Sequence, residues 1–135
     1  MKRWMLVFAF VSFLPLAAEA EVVALQLERR GVEKPEQMVY GVEVETGKVV
    51  WEQRFGEEVN FVEKVKGGVL VGCDDGTLSL VEPASGQVRW TTKLGEKDEK
   101  VNTFRGEYPA GYLVSFDNET LWFVSPKGEL LWFLR

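Results

Sequence analysis

Three stretches decide how this chain is read: Gly47-Lys48-Val49-Val50-Trp51, Gly86-Gln87-Val88-Arg89-Trp90 and Gly128-Glu129-Leu130-Leu131-Trp132. Their tryptophans stand 39 and 42 residues apart, so the spacing marks an internal repeat of about 40 residues. Each Gly-x-x-x-Trp follows a strand-like run (Val39–Val44, Thr77–Val81, Thr120–Val124). The connecting turns are Glu45-Thr46-Gly47, Pro83-Ala84-Ser85-Gly86 and Pro126-Lys127-Gly128. They carry turn chemistry, with a glycine free to adopt positive φ.

Working outward, Val69–Cys73 closes at Asp74-Asp75-Gly76 and Tyr112–Phe116 at Asp117-Asn118-Glu119. Asp-Gly between apolar runs is a hairpin signal. A further strand precedes each hairpin, near Val59–Val65 and Val101–Arg105. The second and third units therefore hold four antiparallel strands each. The first has about three, near Val22–Glu28, Val39–Val44 and Val49–Arg54. Between them Arg29–Gln37 reads as a loop because of Gly31, Lys34 and Pro35. Beyond residue 21 no stretch keeps a helical period, and the domain is all-β. Four strands per 40-residue unit is the pattern of a propeller blade. Val69-Leu70-Val71 and Leu130-Leu131-Trp132-Phe133-Leu134 are apolar without alternation, as a sheet covered on both faces requires. The units run approximately over 21–56, 57–95 and 96–135.

The repeat resembles that of the quinoprotein-like propellers, the PQQ-like repeats named for alcohol dehydrogenases that bind pyrroloquinoline quinone. The family's repeat reads roughly Ala-x-Asp-x-x-x-Gly-Lys-x-x-Trp. Here it is matched by Gly41, Glu43, Gly47, Lys48 and Trp51, then by Leu80, Glu82, Gly86, Gln87 and Trp90. The third copy is the most degraded, with Trp122, Val124, Gly128, Glu129 and Trp132. The resemblance implies that Trp51, Trp90 and Trp132 dock between blades, against the glycine-bearing turn of a neighbour. They are then structural residues rather than a ligand-binding aromatic surface. Activity does not carry over. Family enzymes close about eight blades around the quinone, with a calcium ion, a catalytic Asp and, in some, a vicinal Cys pair.

Composition restricts the chemistry further. The 135 residues contain no His and a single Cys. Imidazole-dependent hydrolysis, imidazole zinc sites, Cys-rich metal sites and an internal disulfide are thereby excluded. A net charge of −5 gives no basic face for nucleic acid. Cys73, within Val69-Leu70-Val71-Gly72-Cys73, reads as a buried structural thiol. Asp74-Asp75-Gly76 reads as a hairpin turn, since two carboxylates do not supply the six to eight oxygens calcium takes. Asn118-Glu119-Thr120 is formally a glycosylation sequon at a turn, and Glu96–Lys100 a solvated loop. No catalytic, cofactor-binding or metal-binding residue is assigned, and no cofactor is expected.

The chain opens Met1-Lys2-Arg3, runs apolar from Trp4 to Leu16 and reaches Ala18-Glu19-Ala20. This is the layout of a secretory signal peptide over residues 1–20, with Ala18 and Ala20 at the cleavage site. The apolar run is short for a membrane span of roughly 20 residues, and residue 21 is Glu rather than a lipidatable Cys. The expectation is an exported, periplasmic or secreted protein without a stable membrane anchor after cleavage. Removing Lys2, Arg3 and Glu19 moves the net charge from −5 to −6.

About three blades form an incomplete, open propeller, because closed rings have roughly 4–8. Exposed apolar ends mark interaction surfaces, so a protein partner or self-association through open blade edges is expected. The leading reading is a non-enzymatic scaffold or protein-interaction module of the cell envelope. It looks like a shortened relative of the propeller component of the outer-membrane barrel-assembly machinery, without that component's lipidation Cys. The alternatives are a remnant or subunit fragment of a quinoprotein dehydrogenase and a small-ligand sensor using aromatic clefts between blades.

Overall fold

The computed structural model describes residues 20–135. Residues 1–19 of the expected signal peptide, Ala18 among them, lie outside the described residues, while Ala20 is the first of those described and is exposed. Among the described residues, eleven strands form three separate antiparallel sheets. The first contains β1 (Val22–Leu25), β2 (Met38–Glu43) and β3 (Val49–Arg54) in that order. The second contains β4 (Val59–Val65), β5 (Gly68–Cys73), β6 (Thr77–Val81) and β7 (Val88–Lys93). The third contains β8 (Thr103–Tyr108), β9 (Gly111–Phe116), β10 (Thr120–Val124) and β11 (Leu130–Leu134). This is the all-β, open arrangement of three blade-like units that the repeat predicts.

Two strands differ from the sequence reading by more than one residue, each for a local reason. β1 ends at Leu25 rather than Glu28, where the Gln26 side chain leaves the sheet to donate to the Val59 carbonyl of the second unit (2.9 Å). β8 begins at Thr103 and continues to Tyr108, instead of spanning Val101–Arg105. Val101 serves as a fully buried stitch between units: its N–H donates to Cys73 O (3.1 Å) and its carbonyl accepts from Asn60 Nδ2 (3.2 Å). The Arg29–Gln37 stretch is a loop apart from a single 3-10 turn at Pro35–Gln37.

The last hairpin of every unit is built alike. Each carries a register shift at the same place, between Gly41 and Val42, Leu80 and Val81, and Phe123 and Val124. The extra residue on the outer strand reverses side-chain facing there. Val88 can therefore pack toward the first unit while Trp90 packs toward the third. The core consists of two inter-unit layers rather than one centre. Val39, Val59, Val69, Val71, Cys73 and Val81 fill the first, and Leu70, Leu78, Leu80, Val101, Val114 and Trp122 are among those filling the second. β5 is buried at all its positions, as the middle sheet of three must be.

Candidate functional site

The glycine-bearing turns share one hydrogen-bond pattern. Glu43 N–H donates to Lys48 O and Gly47 N–H to Glu43 O, both at 2.8 Å. Glu82, Gln87 and Gly86 repeat this at 2.8 and 2.7 Å. The third turn is shorter, with Ser125 N–H donating to Glu129 O and Gly128 N–H to Ser125 O. The turn glycines have φ of 72°, 77° and 88°, a region that side-chain-bearing residues enter at a cost of roughly 1–2 kcal/mol.

The tryptophans meet these turns across the unit boundaries. Trp51 Nε1 donates to Pro83 O (2.7 Å), and Trp90 Nε1 donates to Pro126 O (3.0 Å). Each ring lies flat on the neighbouring glycine: a Cβ at Gly86 would come within 2.5 Å of Trp51, and one at Gly128 within 2.6 Å of Trp90. Two residues after each tryptophan a polar side chain adds a second bond to the same turn. Gln53 Nε2 donates to Gly86 O (3.4 Å) and Thr92 Oγ1 to Gly128 O (2.6 Å). An indole suits this joint because it combines a broad apolar face with an N–H that must find an acceptor when buried.

Trp132 is placed differently. It is 47% exposed and stacks on Phe123 (centroids 5.4 Å, 18° between planes), with Tyr108 edge-on to Phe123 at 6.4 Å. Every residue of β11 is exposed, so the third unit presents an uncovered aromatic face and a free outer strand. At the opposite end of the array, no described residue lies within 4 Å of where a Cβ on Gly47 would stand, and Val44 and Val50 beside it are 54% and 40% exposed. Position 134, which corresponds to Gln53 and Thr92, is Leu.

The acidic hairpin, Cys73 and Glu99 are engaged structurally. Asp75 Oδ1 accepts from Thr77 N–H (3.1 Å) and Thr77 Oγ1 (2.6 Å), its carbonyl accepts from Lys93, and Asp74 pairs with Lys100 (3.4 Å). The acidic hairpin is thus closed on itself. Burial, with the Asp75 charge next, pushes the Cys73 thiol up to about 12, a poor nucleophile at neutral pH. The bond from the Arg135 guanidinium to Glu99 (2.8 Å) holds the Glu99 carboxyl down at about 2, with the Thr120 hydroxyl and the Glu96 N–H adding to it. A hollow of about 590 Å³ lies between β1 and the second sheet. Its arginine, Arg89, is already bonded to Gly67 O and paired with Glu82.

Among the described residues no group of three or more His, Cys, Asp or Glu could hold a metal ion. With one buried thiol and a closed acidic turn, these residues do not fit the calcium and vicinal-Cys chemistry of quinone-binding propellers. Among the described residues, no helix is long and apolar enough to cross a membrane.

The structure brings the glycine and tryptophan of the repeat together for Trp51 with Gly86 and Trp90 with Gly128 but not for Trp132, and the acceptor carbonyls of Pro83 and Pro126 and the donors Gln53 and Thr92 lie outside the repeat motif. The readable signal was the polar residue two places after Trp51 and Trp90.

Comparison with known proteins follows the same lines. The crystal structure of BamB from Moraxella catarrhalis superposes with a TM-score of 0.63 at 14% identity, over 86% of this chain and 38% of that one. The quinohemoprotein alcohol dehydrogenase ADHIIG from Pseudomonas putida HK5 gives 0.65 at 16% identity, over 87% of this chain and 19% of that one. A protein of unknown function from Bacteroides caccae gives 0.55 at 23% identity, over 72% and 36%. The chain thus spans well under half the length of these structural relatives, and it shares their fold. No curated protein matches the chain by sequence. The family described as outer membrane protein assembly factor BamB matches residues 35–135, and the chain belongs to that PQQ-like repeat family.

Proposed function

We propose that this chain is a non-catalytic, exported propeller-repeat protein serving as a scaffold or protein-interaction module in the cell envelope. The observation that carries the reading is the uncovered face of the third unit, where Tyr108 and Trp132, packed on either side of Phe123, are each about half exposed. Contiguous apolar exposure of this kind marks an interaction surface, and the free edge of β11 adds a strand that another chain can pair with. Family membership and the signal-peptide layout support the envelope as the place of action. The titratable groups support a binding role over catalysis, since the acidic turn, Cys73 and Glu99 are all committed to holding the fold.

The test is fractionation and cross-linking in an exporting bacterium carrying the tagged chain. Recovery outside the cytoplasm is expected, together with a reproducible cross-linked envelope partner that is lost in Trp132→Glu. Retention in the cytoplasm, or an unchanged cross-link pattern in a folded Trp132→Glu variant, would overturn the reading.

A further inference from the structure

The joint between units is used twice within the chain, and one unused half of it stands at each end. Trp51 and Trp90 each dock on the glycine turn of the next unit. Among the described residues, Trp132 occupies the corresponding place on the third unit and meets no turn, while the Gly47 turn of the first unit meets no tryptophan. We propose that the partner of this surface is a second copy of the chain, with Trp132 of one copy docking on the Gly47 turn of the other. The proposal rests on the interaction-module reading above and names its partner.

The receiving turn is already shaped for the role. Its hydrogen-bond pattern matches that of the second turn, and its glycine has φ of 72° against 77°. That register puts Val44 in the place of Pro83, so the Val44 carbonyl is the acceptor for the incoming indole N–H. The surroundings agree, because Val44 and Val50 expose apolar surface next to the turn. The Gln26–Gln37 segment does not obstruct it. That segment covers the other end of the sheet, with Arg29 over the Tyr40 ring at 5.3 Å and Arg54 bonded to the carbonyls of Glu33 and Lys34.

On the donating face, Trp132 is presented by its stack on Phe123 rather than laid over a glycine as Trp51 is over Gly41. Leu134 replaces the polar residue of the internal joints, which makes this copy of the joint more apolar. The contact is heterologous, so it either closes on itself or propagates. Two copies contribute six units, within the roughly 4–8 found in closed propellers.

The experiment is size-exclusion chromatography with light scattering on the protein carrying the 135-residue sequence, at micromolar concentration. Two single variants are compared: Trp132→Glu, altering only the donating face, and Val44→Lys, altering only the receiving turn without straining Gly47. Both positions are about half exposed, and circular dichroism verifies that each variant folds. The wild type is expected to run at twice the mass of one chain, or as a ladder of larger masses. Each variant alone is expected as a monomer, with association weakened about tenfold or more. An equimolar mixture is expected to form a two-chain species and nothing larger, because only one intact joint remains. A monomeric wild type, an assembly that survives either substitution, or variants that fail to complement each other would overturn the proposal. A monomer that still loses its envelope cross-link in Trp132→Glu refutes self-docking and leaves the interaction-module reading standing. A complementing dimer found only in the cytoplasm does the reverse.

Discussion

Replacing Trp51 by Ala is the sharpest test of the joint described here. Full Trp→Ala truncation in a core costs about 3–5 kcal/mol, and Trp51 is only partly buried, which places it at the low end. Its N–H bond to Pro83 O contributes about 1 kcal/mol net and leaves a carbonyl unpaired when removed. A loss of about 3 kcal/mol follows, which for a domain of this size lowers Tm by roughly 10–15 °C. Trp51→Phe keeps a ring without the N–H and is expected to lose about 1 kcal/mol.

The decisive measurement is a double-mutant cycle with Gly86→Ala. In the native background that substitution meets both the positive φ and the indole 2.5 Å away. In Trp51→Ala the steric part disappears and about 1 kcal/mol of backbone strain remains. Urea unfolding of the four proteins should therefore give a coupling energy of at least about 1 kcal/mol. Strictly additive losses, or a Tm drop of less than about 3 °C in Trp51→Ala, would refute the docking argument.

Other outcomes follow from single sites. Trp132→Ala, at a position 47% exposed, should cost less than half of what Trp51→Ala costs in the same urea titration. Glu99, held at about 2 when folded, binds its proton more readily in the unfolded chain. Its contribution is therefore complete above about pH 4.5 and lost as pH falls toward about 2. Stability measured across that window should fall more steeply for the wild type than for Glu99→Gln. Cys73 should resist a thiol-specific reagent near pH 8 in the folded protein and react fully in denaturant.

The strands were legible in the sequence because their signals are carried by side chains and turn residues. Val69-Leu70-Val71 predicts a sheet covered on both faces, and Asp74-Asp75-Gly76 closes it. The regular Gly-x-x-x-Trp spacing puts a ring and a turn at corresponding places in each unit. What could not be read is what the backbone does elsewhere. The acceptors in the joints are carbonyls of Pro83 and Pro126, and any residue at those positions offers one. Val101 reads as the start of a strand and is instead a stitch, because its N–H and carbonyl are taken by the neighbouring sheet. The pairing of Glu99 with Arg135 links residues 36 apart, and no local pattern announces it.

The two joints lie in series, and this has a kinetic consequence. The central sheet is clasped from both sides, whereas each outer sheet is clasped from one. In a linear array of this kind, opening an outer unit breaks a single boundary, and opening the middle one breaks two. Amide hydrogens of β5 and β6 should therefore exchange only through global unfolding. Those of β2 and of β10 should exchange through separate, cheaper excursions of their own units, and severing the Trp51 contact should speed exchange in β2 while leaving β10 almost untouched.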